Sequence, residues 1–203
     1  MKLFQTVILI TAASCCSAAS NLEERVTKLE RELALIKEQI KPLLTDKHQI
    51  DNTLQQLRAR ARQRMRADLN SHSFSDLTYI EKTYKQAYRK WGTEECIEKL
   101  KKLIKKYPES NRAGCAILYL GQMSKDPEKK KAFLQQAIKK FGGCYYGDGV
   151  QVAPYAAFQL GFLYYKKGEK GAAKALFDQI KAKYPDSIDH KGRKLVRMLP
   201  AER

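Results

Sequence analysis

Histidine and tryptophan are nearly absent from this chain: three and one in 203 residues. His48, His72 and His190 are scattered, and none sits at a short spacing from a cysteine or an acidic cluster. No zinc site and no His-centred nucleophile triad is therefore written locally. No glycine-rich phosphate loop is present. Acids are outnumbered, 22 against 39 lysines and arginines. These absences argue against an enzyme, and no catalytic residue, cofactor or metal is expected. Asp189-His190 offers two neighbouring ligands, but a metal needs more, and the pair reads as a helix cap beside a surface histidine. No apolar run is long enough to span a bilayer. What remains is a formal charge of +17, a field that favours anionic partners and bears on association rather than on fold.

Residues 1–20 combine a short charged start, the apolar run Leu3 to Ala13 and a small-residue exit, Ser14-Cys15-Cys16-Ser17-Ala18-Ala19-Ser20. That is the pattern of an export signal peptide. Cleavage after Ala19 or Ser20 yields a periplasmic or secreted protein; the alternative, cleavage before Cys15, yields a lipoprotein anchored through Cys15. Export conflicts with nucleic acid as the anionic partner and leaves peptidoglycan, an anionic membrane surface or an acidic protein. It also leaves Cys96, Cys115 and Cys144, an odd number without metal spacing. Buried thiols are expected at Cys96 and Cys115, with a bridge between them as the sharper alternative, while Cys144 is expected to be the most exposed.

From Leu22 the apolar residues fall at Leu22, Val26, Leu29, Leu33, Ile36, Ile40 and Leu43, in alternating steps of four and three. So narrow a stripe is a heptad seam, and it predicts self-association into a dimer or trimer through a coiled-coil helix over 21–68. Pro42 interrupts the seam; Ile50, Leu54, Leu57 and Ala61 resume it, with Lys47 as a polar intruder. Arg58 to Arg66 then sets an arginine at every second position, which reads either as an anionic contact or as a solvated helix end. Residues 69–75 break the period and serve as a linker, with Ser75 or Asp76 as the next helix cap.

Over 76–199 helical patterns come in pairs: 76–90 with 93–106, 111–123 with 127–140, and two more inside 151–187. The last pair carries Leu160-Gly161, Tyr164, Ala173, Phe177 and Pro185. In that spacing the small residues let two antiparallel helices approach, the aromatics fill the gap between them, and the proline stops the second. Leu120-Gly121 repeats the motif in the middle pair, whereas Thr83-Tyr84 stands there in the first. The second helices end alike at Tyr107, Phe141 and Tyr184. The first interval is 34 residues and the second 43, the surplus being assigned to the loop Gly142 to Gly149 and a fuller interhelix turn. A closing helix is expected over 191–198. These features resemble the tetratricopeptide repeat family. They predict an all-α fold, an N-terminal coiled-coil helix followed by a short tetratricopeptide-like helical-hairpin solenoid.

Tetratricopeptide arrays hold peptides or protein surfaces in the groove lined by the first helix of each pair, so the resemblance implies a protein-binding groove. Counted from Gly161 it selects Tyr155, Phe158, Phe162, Tyr165 and Lys166; from Gly121, Leu118, Gln122 and Lys125; and in the first pair Lys85, Tyr88 and Arg89. One aromatic wall and one basic wall suit an acidic or aromatic-bearing peptide. Phe158 and Phe162 serve equally well as core. The order of export signal, heptad helix and repeats resembles the Tol-Pal-associated cell-division coordinator family, of the YbgF/CpoB type. Its members are periplasmic, trimerise through the N-terminal helix and link envelope constriction to peptidoglycan synthesis. The resemblance implies an exported, oligomeric scaffold for protein partners in the cell envelope; the alternative is a cationic tether holding peptidoglycan or anionic lipid. This chain lacks the long low-complexity linker usual in that family.

Overall fold

The computed structural model of the protein describes residues 2–200. The side chains of residues 2–21, 23 and 42–50 lie outside the described set, and with them the export segment, Cys15, Pro42, Leu43, Lys47, His48 and Ile50. The fold is all-α. Helix α1 spans Lys2–Ala67 and runs into a 3-10 turn, Asp68–Asn70. There follow α2 (Phe74–Arg89), α3 (Glu94–Lys106), α4 (Asn111–Met123), α5 (Pro127–Lys140), α6 (Val152–Lys166), α7 (Lys170–Lys183) and a 3-10 turn, Leu195–Met198. The chain divides into two compact units, Met1–Asp51 and Asn52–Arg203. In the first, Leu22, Val26, Leu29, Leu33, Ile36 and Ile40 are all exposed, by 41% to 63%.

The second unit begins inside α1. Leu57 and Ala61 are buried and Leu54 packs beside Leu57 against the core. The sequence assigns these three to the self-association seam; the structure uses them as the first layer of the repeat core, because one apolar helical stripe serves either purpose. The expected linker is correspondingly short. Asp68 is buried, where its carboxylate pairs with Arg64 and accepts the Asn111 N–H at 2.9 Å. Ser73, rather than Ser75 or Asp76, caps α2 by accepting the Asp76 N–H at 3.1 Å. Thr93, Ser110 and Asp126 do the same for α3, α4 and α5, each satisfying an N–H that the helix leaves free.

Consecutive helices from α2 to α7 pack against one another, and the first helices α2, α4 and α6 also touch, which makes them the inner layer and α3, α5 and α7 the outer one. Gly121 lies against Leu134 and Gly161 against Phe177, the close approaches that the sequence spacing anticipates. Among the described residues, Cys96, Cys115 and Cys144 are buried free thiols. Cys96 faces Met123 with sulfurs 3.7 Å apart, and Cys115 donates to the Tyr145 carbonyl at 3.4 Å, so the two are not bridged. Cys144, expected to be exposed, is only 5% so: it packs on Gly114, where a Cβ would stand 2.5 Å from its own.

The surplus residues after α5 form an ordered turn. Tyr145 bridges Gln151, the Tyr146 N–H donates to Val150 O at 2.8 Å, and Gly149 at φ 99° closes it. The same turn follows α7, 43 residues on. Ile188 bridges Lys194, the Asp189 N–H donates to Arg193 O at 2.9 Å, and Gly192 adopts φ 78°. That second turn occupies the first half of the expected closing helix, which is reduced to Leu195–Met198 because Gly192 and the Ile188–Lys194 bridge hold the chain extended.

Candidate protein-binding groove

The inner layer carries a run of aromatic rings. At its head, Tyr84, Tyr88 and Trp91 gather around Tyr119 of α4, with ring centres 5.5, 5.8 and 4.8 Å away. Tyr119 meets Tyr146 of the first turn at 5.3 Å, and Tyr146 meets His190 of the second turn edge-on at 4.8 Å. His190 reaches Tyr155 of α6 at 5.3 Å, from which Phe158, Phe162 and Tyr165 continue along the helix. Successive rings therefore touch from α2 to the end of α6, in the edge-to-face and offset geometries that aromatic quadrupoles favour.

At the α2 and α4 end this surface deepens into a cavity of about 370 Å³. Tyr84, Lys85, Tyr88 and Arg89 line it from α2, Arg112 and Tyr119 from α4, Tyr146, Gly147 and Asp148 from the first turn and His190 from the second. The two turns are tied across its mouth, His190 Nδ1 lying 2.7 Å from Asp148 Oδ2. Burial opposes ionisation of Asp148, but the His190 contact and the Val150 N–H outweigh it and hold the carboxyl below its usual range. Arg112 grips Glu81 through two hydrogen bonds of 2.6 and 3.0 Å and lies 4.5 Å above the Tyr84 ring. Burial pulls the guanidinium down, yet the Glu81 bonds leave it raised on balance, so Arg112 stays charged. Burial pushes the Tyr119 phenol up to about 12 and Tyr146 well above its ordinary value. The Tyr146 hydroxyl donates to the Cys115 carbonyl at 3.1 Å. The groove thus keeps neutral phenols on its floor.

Of the groove residues selected from sequence, Lys85, Tyr88 and Arg89 come together in the cavity, and Tyr155, Phe158, Phe162 and Tyr165 form the far part of the ring run. Phe158 and Phe162 are half-buried against the small core of Ala157, Ala173, Phe177, Ile180 and Leu195, so they are floor rather than rim. Leu118 is a correction: it is fully buried and offers no surface to a partner, because α4 is enclosed by α3, α5 and the first turn. Gln122 is half-buried, while Lys125 beyond α4 and Lys166 at the end of α6 are exposed; none of these lines the cavity. Asp189 and His190 do not act as a pair. Asp189 turns back to accept the Lys191 and Arg193 N–H groups at 2.9 Å each, while His190 faces Asp148. Among the described residues no three His, Cys, Asp or Glu side chains gather to hold a metal.

Sequence reasoning misses Trp91, Arg112, Tyr119, Asp148 and His190 as groove residues, while the adjacent Tyr145 and Tyr146 suit either a flat contact or a spare insertion, and the structure puts Tyr146 in the cavity wall. A usable signal exists for Tyr119, which shares its helix with Gly121, two residues away. None exists for His190, whose place depends on a turn that shares little with its counterpart beyond one glycine.

Compared with known proteins, residues 155–187 match the model of the tetratricopeptide repeat family. The match runs from Tyr155 through α7 to Ser187 in the second turn. No curated protein and no solved structure matches the chain. By this match and by the packing of Gly161 on Phe177, the chain carries a tetratricopeptide repeat in α6 and α7, a helix pair of the kind that serves as a protein-interaction scaffold.

Proposed function

We propose that the protein is an exported, oligomeric scaffold whose groove holds an acidic, aromatic-bearing segment of a partner protein. The observation that carries this reading is the balance of the groove. Its floor is a continuous run of rings, its lining carboxylate Asp148 is already engaged by His190, and Glu81, outside the lining, is engaged by Arg112. Lys85 and Arg89 at its edge make no ion pair among the described residues. Rings supply contact area at little entropic loss, and unpaired cations steer an acidic segment and fix its direction. The exposed heptad residues support self-association, and residues 1–20 support export. The order of these parts supports a place in envelope organisation and cell division, as in the coordinator family.

A labelled peptide with a central tryptophan flanked by glutamates, titrated with the full-length protein and followed by fluorescence anisotropy, tests this. Binding is expected, weakened by Tyr88→Ala and by Arg89→Gln, and weaker for the same peptide with glutamine in place of glutamate. Affinity indifferent to both substitutions sinks the groove reading.

A further inference from the structure

A second surface, independent of the groove, lies at the end of α1. Leu57 and Ala61 turn inward, so Arg58, Arg62 and Arg66, each four residues beyond the last, fall on one exposed row. None of these three makes an ion pair among the described residues, whereas Arg64 turns in to Asp68 and donates to the Glu109 carbonyl at 2.8 Å. Leu69 follows the row, and Phe74 opens α2 just beyond it. These large apolar side chains are 62% and 85% exposed, so most of their apolar surface stays in water. The end of α3 belongs to the same edge, because Tyr107 donates to Asp76 of α2 at 2.7 Å. Lys106 there stands 4.6 Å above the ring of the exposed Tyr79. Of the carboxylates at this edge, Asp68 and Asp76 are both occupied internally, and Glu109 is the remaining exposed acid.

We infer that this edge docks on an anionic phospholipid surface, with the arginine row and Lys106 over the headgroups and Leu69 and Phe74 entering the interface. A soluble polyanion matches the charge but has no apolar layer to receive a phenylalanine. A bilayer interface presents both within a few ångströms, and basic side chains flanking exposed Leu and Phe are the composition that such an interface retains.

The test is co-sedimentation of the full-length protein with vesicles of phosphatidylcholine alone and of phosphatidylcholine mixed equally with phosphatidylglycerol. Binding is expected to the mixed vesicles and to fall with added salt. Arg62→Gln and Arg66→Gln each weaken it about fivefold, the share of one cation near an anionic surface. Phe74→Ala weakens it about tenfold, the share of one inserted apolar side chain. In a Trp91→Phe background, the emission of Phe74→Trp shifts to the blue only with the mixed vesicles. Lys85→Gln with Arg89→Gln, in the groove, leaves vesicle binding unchanged. Equal binding to both vesicle types overturns the inference. So does an unmoved Phe74→Trp emission, or arginine-dependent capture by peptidoglycan sacculi or polyglutamate that matches the vesicles and ignores Phe74→Ala.

Discussion

Replacing Gly161 by alanine tests the packing of the repeat at its tightest point. A Cβ there would stand 2.4 Å from Phe177 Cε1 and 3.0 Å from Cδ1, about an ångström inside ordinary contact. Phe177 has little room to yield, being 7% exposed with Phe162 5.3 Å away on another side. Overpacking of this kind costs about 1–3 kcal/mol, while alanine in a helix returns about 1 kcal/mol, so the net loss reaches about 2 kcal/mol. In a domain of this size each kcal/mol lowers the melting temperature by about 2–4 °C. Gly171→Ala is the control, since a Cβ there meets nothing within 4 Å and the helix gains up to about 1 kcal/mol. Gly121→Ala should fall between, because the Leu134 branch it meets at 3.0 Å is the flexible end of a side chain. Thermal unfolding followed by circular dichroism ranks the three. If Gly161→Ala is as stable as Gly171→Ala, or if adding Phe177→Leu fails to restore part of the loss, the close approach of α6 and α7 is not what the glycine serves.

The exposed heptad predicts a dimer or trimer by light scattering, reduced to a monomer by Leu29→Lys with Ile36→Lys; a monomeric wild type removes the oligomer from the proposal. Asp189 lies below its usual range because, although burial opposes its charge, the Arg193 guanidinium and two backbone N–H groups outweigh that. A lowered folded-state value means stability that is present at neutral pH and is lost as pH falls below the ordinary carboxylate range of about 4. Asp189→Asn should therefore flatten the acid side of the stability curve, and an unchanged acid midpoint refutes this. Burial pushes the Cys115 thiol up to about 12 and raises Cys96 and Cys144 as well, so none of the three should react with iodoacetamide until the protein unfolds. Mass mapping of the alkylated sites decides.

Much of the fold is legible in the residues themselves, and the reason is local. Pro127 and Lys140 bound α5 as they stand in the sequence, since a capping Asp126, a first-turn proline and terminal lysines are read without knowing any neighbour. Gly161 and Phe177 announce their contact because helical spacing alone sets them opposite. Leu57 and Ala61 are another matter: a stripe of that period fits a partner chain as well as its own domain, and only the core it meets decides. Cys144 was illegible for the same reason, its burial depending on Gly114 in a different helix.

The two turns make the sharpest case. Cys144 to Val150 and Ser187 to Arg193 share Gly149 with Gly192 and almost nothing else, yet their backbone bonds correspond pair by pair. The 43-residue interval thus belongs to a unit of two helices and a turn, and the surplus over 34 is the element that walls the cavity. If Asp148 and His190 make those turns act as one wall, their effects on peptide affinity cannot be independent. Asp148→Asn and His190→Gln, alone and together, form a double-mutant cycle read by anisotropy. Both side chains are more than a third exposed, so stability should change little while affinity falls. Loss in the double variant close to that of either single one is the expected result; losses that simply add mean that each turn meets the peptide separately and the link across the mouth is incidental.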